Sequence, residues 1–226
     1  MDKAILVVSF GTSHSDTREK TIEKIIADIK AEYTDYRVYS AFTSYIIVKR
    51  LREEGIHIDT VEEAFDRLIS DGIKNVTVQP THIIKGIEYE KLCAAAKRYT
   101  EYFNEIKIGE PLLSGKEDIV KTAEFIESIK TDGETLVLMG HGTEHSANSV
   151  YGILQSYIGD DNIFIGTVEA KPTAYDVAKR LDPHKAVTLT PFMIVAGDHA
   201  VNDMAGDEPN SWKNILHHRA LVLKYC

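Results

Sequence analysis

Two histidines and one glutamate in the second half of the sequence have the residue types and positions of a metal site. His141, Glu169 and His199 each follow a short apolar run that has the pattern of a buried strand. Imidazole nitrogens together with a carboxylate suit borderline divalent ions such as cobalt, nickel, iron and zinc. Three protein ligands also leave coordination positions open. The pattern therefore predicts a divalent metal ion to which a further molecule can coordinate.

Each of these residues also has a purely structural interpretation. A histidine in a strand-to-helix turn often only hydrogen-bonds the turn, and Glu169 can cap a helix that begins after Pro172. The H-x-x-E-H pattern at 141–145 matches an inverted zinc-peptidase motif, but that motif needs a helix with both histidines on one face. Gly140 and Gly142 bracket His141 directly after an apolar run, so we expect a turn there and not a peptidase. Three potential ligands of two types, imidazole and carboxylate, at successive strand ends favour the metal site.

Other common chemical signatures are missing from the sequence. It contains neither G-x-G-x-x-G nor G-x-x-x-x-G-K-[ST], so we expect no nucleotide cofactor. Ser9 does not lie in a G-x-S-x-G elbow, which argues against an α/β-hydrolase. With 26 Lys and Arg against 35 Asp and Glu, the net charge is −9, and this disfavours nucleic acid and anionic membranes as partners.

The composition also predicts the cellular compartment. No apolar run approaches the roughly 20 residues that span a bilayer, and the short run at 4–8 has the length of a strand and not of a signal peptide. Cys93 and Cys226 form neither a metal-ligand spacing nor a disulfide framework. We therefore expect a cytoplasmic protein.

The elements that must position the ligands alternate along the chain. Apolar runs of strand length are followed by stretches with apolar residues at spacings of three and four. Strands are expected at 4–9, 37–41, 75–79, 106–109, 135–139, 163–168 and 186–190, and helices at 16–33, 43–54, 60–70, 89–102, 117–130, 147–157 and 174–181. This alternation predicts an α/β fold with parallel sheets that are flanked by helices.

The sequence also contains an internal duplication. The matching stretches are 6–16 with 136–146 and 76–90 with 187–203. We therefore expect two pseudo-symmetric α/β halves, 1–130 and 131–226, with a cleft between their strand ends, where open α/β sheets bind ligands. The first half carries Phe10 where His141 would fall and Glu88 opposite His199, and His82 is its one suggestive residue. This asymmetry predicts that the second half holds the metal and that the first half forms a wall or a lid of the cleft.

Five stretches resemble a known family. They are ILVVSFGTSHSDT at 5–17, AFTS at 41–44, THIIKGIEYEK at 81–91, MGHGTEH at 139–145 and PFMIVAGDHAVNDMAGDEPNSWK at 191–213. In these stretches the chain resembles the anaerobic sirohydrochlorin cobaltochelatases of cobalamin biosynthesis (the CbiK family), members of the chelatase superfamily. The resemblance covers about residues 4 to 212.

The resemblance implies a chelatase fold and a lyase that inserts Co²⁺ into a sirohydrochlorin-type tetrapyrrole without ATP. By motif, His141, Glu169 and His199 are the implied metal ligands, with His141 also accepting a pyrrole proton and Glu169 relaying protons to solvent. A neutral imidazole can accept a proton at cellular pH. The implied substrate-binding residues are Ser9, Phe10, Thr12, His82 and Lys85.

Several alternatives stay open. The metal can be nickel or ferrous iron, because this ligand set does not discriminate among them, and a non-catalytic metal or haem carrier is the second reading. The substrate's carboxylates need local cations; the candidates are Lys49, Arg50, Arg52 and Lys85, although a solvated helix face also explains the first three. Residues 214–226 depart from the family pattern, so we expect the second half to lack its last βα unit. A homo-oligomer is possible.

Overall fold

The computed structural model describes residues 2–195, 197, 199–217 and 222–225. The chain divides into two compact units, Met1–Leu112 and Leu113–Cys226. This boundary differs from the one expected between residues 130 and 131. The reason is that helix α6 (Lys116–Ile129) packs against helix α7 (Ser149–Tyr157) and so belongs with the second unit.

The first unit contains a five-stranded parallel sheet with strand order β3-β2-β1-β4-β5. Its strands are β1 (Lys3–Ser9), β2 (Arg37–Phe42), β3 (Asp59–Thr60), β4 (Asn75–Pro80) and β5 (Glu105–Ile108). Its helices are α1 (Ser15–Arg18), a π-helical segment (Glu19–Glu23), α2 (Lys24–Glu32), α3 (Tyr45–Glu53), α4 (Val61–Ser70), α5 (Ile87–Arg98) and a 3₁₀ turn (Thr100–Tyr102). The helical stretch expected at 16–33 thus has a π-helical centre.

The core of the first unit forms because β1 is apolar along nearly its whole length. On one face of the sheet, α4 and α5 bury Phe65, whose ring stacks on Tyr99 with 4.8 Å between the centroids. Burying a phenylalanine side chain contributes about 2–3 kcal/mol. Helix α4 begins with a capping box, in which Thr60 and Glu63 each hydrogen-bond the backbone N–H of the other.

The second unit contains a four-stranded parallel sheet with strand order β7-β6-β8-β9. Its strands are β6 (Thr135–Gly140), β7 (Ile163–Thr167), β8 (Ala186–Pro191) and β9 (Val222–Tyr225). Beside α6 and α7 it contains a 3₁₀ turn (Ser146–Asn148), α8 (Ala174–Ala178), a π-helical turn (His199–Met204) and α9 (Trp212–His217).

The end of the chain corrects one expectation. The strand of the βα unit that was expected to be missing is present: β9 pairs in parallel with β8, with Val187 opposite Leu223, and α9 precedes it and packs on α8. Trp212 and Leu216 are buried in the core of this unit. The second sheet therefore contains β9, although the sequence of residues 214–226 does not resemble the family pattern.

The backbone confirms the internal duplication. Val8 lies opposite Pro80 in the first sheet, and Met139 lies opposite Pro191 in the second. Three residues after each of these central-strand positions comes a glycine with positive φ, Gly11 at 102° and Gly142 at 79°. Since only glycine adopts this conformation without strain, both halves need it in the same turn.

The expected α/β class and the alternation of elements agree with the structure. Two-residue β3, the π-helical segments, α9 and β9 were not expected. Cys93 is half-buried in α5, and Cys226 lies outside the described residues. Within the part of the chain that the structure describes, no helix has both the length and the apolar character needed to cross a bilayer.

Candidate metal centre

His141 lies in the turn that follows the central strand of the second sheet. The next strand continues alongside this turn, because Val168 N–H donates to Gly140 O at 3.0 Å and Glu169 N–H donates to His141 O at 2.9 Å. Glu169 is thereby fixed beside His141, and its Oε2 lies 3.6 Å from His141 Nδ1. Parallel strands that end at one edge of a sheet thus bring these two side chains together.

His199 follows β8, a third strand of the sheet, and its side chain lies next to His141. It begins the π-helical turn that follows β8, and its ring meets His141 edge-on, with 4.6 Å between the centroids and 89° between the planes. Single π-helical turns occur frequently at functional sites. All three predicted ligands therefore gather at the carboxyl edge of the second sheet.

The hydrogen bonds of His141 and His199 indicate which nitrogen of each ring carries the hydrogen and which has a lone pair. His141 Nδ1 lies 2.7 Å from Gly142 O, and His199 Nδ1 lies 2.6 Å from Asp203 Oδ2. A carbonyl or carboxylate oxygen can only accept, so each Nδ1 carries the hydrogen in the neutral ring. Each Nε2 then has a free lone pair, which is the arrangement of a histidine prepared to bind a metal.

The three side chains do not yet form a closed metal site. Among the residues that the structure describes, no group of three His, Cys, Asp or Glu side chains is placed to hold an ion. The Glu169 carboxylate approaches His141 at the nitrogen that carries the hydrogen. Its side chain is 56% exposed, so a change of rotamer is sterically open to it. As placed in the structure, the Glu169 carboxylate therefore contacts His141 at Nδ1 and does not face its Nε2.

The peptidase motif is ruled out by the local backbone. Residues 141–145 are not helical, so His141 and His145 do not share a helix face. His145 instead caps the short 3₁₀ turn, where its Nδ1 accepts a hydrogen bond from Ala147 N–H at 3.2 Å. The structure thus gives His145 a capping role.

The first-half residues that the resemblance implied for substrate binding differ in exposure. Ser9 is 1% exposed and its hydroxyl bonds Thr81 Oγ1 at 2.9 Å, while Thr12 is 4% exposed and accepts a hydrogen bond from His14 N–H. Phe10 is 47% exposed. Only side chains with free surface can touch a ligand, so Phe10 is the better placed of these three.

His82 has an unusual environment for a polar side chain. Both ring nitrogens are buried and find no hydrogen-bond partner within the described residues. Burial lowers the pKa of His82 below its usual value of 6.5, and the nearby Glu88 opposes this more weakly. The imidazole is therefore held neutral in the folded protein.

Three of the four basic side chains expected to attract the substrate's carboxylates form ion pairs with glutamates of the protein. Arg50 pairs with Glu54, Arg52 with Glu63 and Lys85 with Glu110. Exposed ion pairs of this kind contribute little to stability, and they neutralise the charges that would attract carboxylates. For Arg50 and Arg52 the structure favours the alternative reading, a solvated helix face.

Comparison with known proteins now decides the family. The family described as Cobalt chelatase (CbiK) matches residues 3–224. The chain belongs to the cobalt chelatase family. Membership confirms the resemblance noted in the sequence and the predicted enzyme class, a metal chelatase.

Two curated relatives of the chelatase are similar over most of their length. A protein named sirohydrochlorin cobaltochelatase from Salmonella typhimurium is 39% identical over 222 residues, which are 94% of this chain and 84% of the relative. Sirohydrochlorin cobaltochelatase CbiKC from Nitratidesulfovibrio vulgaris is 34% identical over 224 residues, 95% of this chain and 79% of the relative.

Two solved structures support the chelatase fold. SirB from Bacillus subtilis with Fe³⁺ has a TM-score of 0.64 at 16% identity, and this chain aligns over 100% of its length and 87% of that chain. The sirohydrochlorin chelatase SirB from Bacillus subtilis subspecies spizizenii, in complex with cobalt, has a TM-score of 0.60 at 17% identity, with the same coverage of both chains. At these identities the likeness concerns the fold alone.

Two side chains of the chelatase that the sequence analysis missed lie close to the predicted ligands. Asp203 accepts a hydrogen bond from His199, and the sequence HAVND at 199–203 shows the spacing of four residues between them. Tyr151 lies in α7 and contacts the turn that carries His141. No sequence pattern pointed to Tyr151, because its contact depends on how α7 packs on β6.

Proposed function

We propose that this chain inserts Co²⁺ into sirohydrochlorin and that His141, Glu169 and His199 hold the ion before its transfer. The two similar relatives are named for this reaction, and the family is that of the cobalt chelatases. The single observation that carries the residue assignment is the pair of rings at 4.6 Å, each with its Nδ1 bonded to an acceptor. Each Nε2 then has a lone pair that a metal ion can use.

Metal insertion requires a base as well as ligands. The ion must lose water and meet four pyrrole nitrogens, two of which release protons. We infer that His141 takes one of these protons at Nε2, because the lone pair that gives up the metal becomes free to accept a proton, and that the other proton passes to solvent water. His141 is 43% exposed, so the pyrrole nitrogens can approach it.

Glu169 has two roles in this proposal. A carboxylate beside the ion offsets part of its charge, and its oxygen lies 3.6 Å from His141 Nδ1. When Nε2 accepts a proton, the ring becomes a cation that a neighbouring carboxylate stabilises. Because Glu169 is more than half exposed, it can also pass a proton to solvent.

We further propose that the reaction needs no nucleotide, because metal–nitrogen bond formation drives it, and that it takes place in the cytoplasm. Phe10 and Lys85 are the first-half side chains that we propose for contact with the macrocycle, since both are about half exposed. Lys85 would exchange its partner Glu110 for a carboxylate of the macrocycle. An assay with purified protein, sirohydrochlorin and Co²⁺, but without ATP, tests the first point directly.

The experiment that tests the residue assignment is replacement of His141 by alanine. Insertion is followed by the change in the visible spectrum of the macrocycle, with cobalt, nickel and ferrous iron compared side by side. His141→Ala should lower the rate more than about 100-fold, since even second-sphere partners of metal ligands contribute 10- to 100-fold. His184→Ala removes an exposed imidazole from the same unit and is the matched control.

Full activity in His141→Ala, with an unchanged circular dichroism spectrum, would show that His141 is neither ligand nor base. An equal loss of insertion rate in His184→Ala would show that the effect of His141→Ala is not specific to the site. Faster insertion of nickel or iron than of cobalt would contradict the proposed metal.

A further inference from the structure

Asn148 directly precedes helix α7, but its side chain does not cap that helix. An asparagine in this place commonly accepts a hydrogen bond from an N–H group of the first helical turn. Here the backbone of Asn148 is already helical, with φ −58° and ψ −27°, and the side chain makes no capping bond. The hydrogen-bond partners of its carboxamide therefore lie outside the helix.

The Asn148 carboxamide joins the two loops that carry His141 and Glu169. Thr143 N–H donates to Asn148 Oδ1 at 3.1 Å, and Asn148 Nδ2 donates to Lys171 O at 3.0 Å. A backbone N–H can only donate and a carbonyl can only accept, so the two partners fix which end of the amide is oxygen and which is nitrogen. Thr143 comes two residues after His141, and Lys171 comes two residues after Glu169.

This bridge continues the pairing of β6 with β7 beyond the ends of both strands. In the sheet the pairing extends to Gly140 opposite Thr167. The hydrogen bond from Glu169 N–H to His141 O, at 2.9 Å, adds one step. The carboxamide of Asn148 supplies the next step, because it has the same donor and acceptor groups as a peptide unit. The two loops are thus connected on both sides of the predicted ligands.

Between these two connections the loops are in direct contact at Gly142. Its φ is 79°, and a Cβ on this glycine would lie 2.7 Å from Thr167 Cβ and 3.0 Å from Ala170 N. Contacts this short leave no space for a side chain, and the positive φ also favours glycine. The loop that carries His141 therefore rests on the loop that carries Glu169, and the Asn148 bridge holds them together at the far end.

We propose that Asn148 is a positioning residue that sets the separation of His141 and Glu169 for Co²⁺ binding. The Glu169 side chain is 56% exposed and can change rotamer. Whether its carboxylate can share an ion with His141 therefore depends on where the backbone holds it. The bridge to Lys171 restricts that backbone on the side opposite the Glu169 N–H bond. The inference rests on the proposed function, in which both side chains are metal ligands.

Asn148→Ala removes both hydrogen bonds of the bridge. A net hydrogen bond corresponds to about a three- to tenfold change in an equilibrium constant. We therefore expect the dissociation constant for Co²⁺ alone, measured by titration, to rise about three- to tenfold. Asn162→Ala is the matched control and should leave this constant unchanged. The Asn162 side chain also bonds two partners, Asp160 and Lys185, but it lies just before β7, at the amino edge of the same sheet.

A double-mutant cycle distinguishes positioning from a general loss of stability. If Asn148 acts by placing Glu169, Asn148→Ala should weaken Co²⁺ binding in the parent but have little further effect in a chain that already carries Glu169→Ala. An equal loss of affinity in both backgrounds would overturn the proposal. Equal Co²⁺ affinity in Asn148→Ala and the parent would overturn it as well.

A second measurement works even if Asn148→Ala folds poorly. In the unmodified chain, the Thr143 amide should exchange slowly with solvent, although it lies in a loop, because its hydrogen is bonded to Asn148 Oδ1. Amide exchange of ¹⁵N-labelled protein, followed by nuclear magnetic resonance, measures this rate. Exchange of the Thr143 amide at the rate of an exposed loop would show that the bridge does not form in solution and would refute the proposal.

The two proposals fail in different ways. If His141→Ala binds Co²⁺ as tightly as the parent, the ligand assignment is wrong and the role of Asn148 falls with it. If His141→Ala loses Co²⁺ while Asn148→Ala binds normally, the ligand assignment stands and only the positioning role is wrong.

Discussion

The hydrogen bond between Asp203 and His199 offers a sharp test of how the metal ligands are prepared. Asp203 Oδ2 lies 2.6 Å from His199 Nδ1, within one π-helical turn. A carboxylate in this position fixes the tautomer and the orientation of the ring and makes Nε2 a better donor to the metal. Asp203→Ala removes the carboxylate, whereas Asp203→Asn keeps an oxygen acceptor without the charge.

The size of the effect follows from the exposure of the pair. A charge-assisted hydrogen bond contributes about 1.5–3 kcal/mol when it is shielded from water. The side chains of His199 and Asp203 are 29% and 42% exposed, so solvent competes and the lower end applies. We therefore expect about 1.4 kcal/mol for Asp203→Ala, which is about a tenfold weaker affinity for Co²⁺. Asp203→Asn should lose about threefold, since the amide oxygen still accepts.

The assay is titration of each purified variant with Co²⁺, followed by measurement of kcat and KM for insertion into sirohydrochlorin. Asp161→Ala is the control, because it removes the same charge from an exposed position of the same unit. Equal Co²⁺ affinity in Asp203→Ala and the parent would refute the reasoning. An equal loss in Asp161→Ala would assign the effect to net charge and not to the hydrogen bond.

Two further predictions concern stability. Thr60→Ala removes the capping box of α4 and should lower the free energy of unfolding by about 1 kcal/mol; an unchanged thermal midpoint would contradict this. Because burial lowers the pKa of His82 below 6.5, the unfolded chain binds more protons than the folded one as the pH falls below this value, and stability should decrease there. His82→Gln cannot titrate, so its unfolding free energy, measured in urea at about pH 7.5 and about pH 5.5, should fall less than that of the parent; identical pH dependence would count against a buried neutral His82.

The sequence predicted the fold well wherever a pattern repeats. Apolar strand runs and helical spacings recur over many residues, and the two matching turns at Gly11 and Gly142 revealed the duplication. Two-residue β3 is too short to show a periodicity, and an apolar repeat does not distinguish an α-helix from the π-helical segment at Glu19–Glu23. The division of the chain after Leu112 depends on the packing of α6 against α7, a tertiary contact that the sequence does not display.

The candidate site was partly readable from sequence. Strand-end positions predicted that His141, Glu169 and His199 gather at one sheet edge, and the structure brings His141 close to each of the other two. Side-chain orientation could not be predicted. The rotamer of Glu169 and the burial of Ser9 depend on packing that one-dimensional spacing does not encode.

All three proposed metal ligands, together with Asp203 and Tyr151, belong to the stretch Leu113–Cys226. Their mutual distances are therefore set by contacts within the second unit. A Co²⁺ titration then reports on the second unit by itself, whereas turnover of the macrocycle reports on the whole chain. Substitutions in the first unit should accordingly change KM or kcat while the affinity for the free ion stays constant, so the two kinds of defect can be told apart in a single preparation.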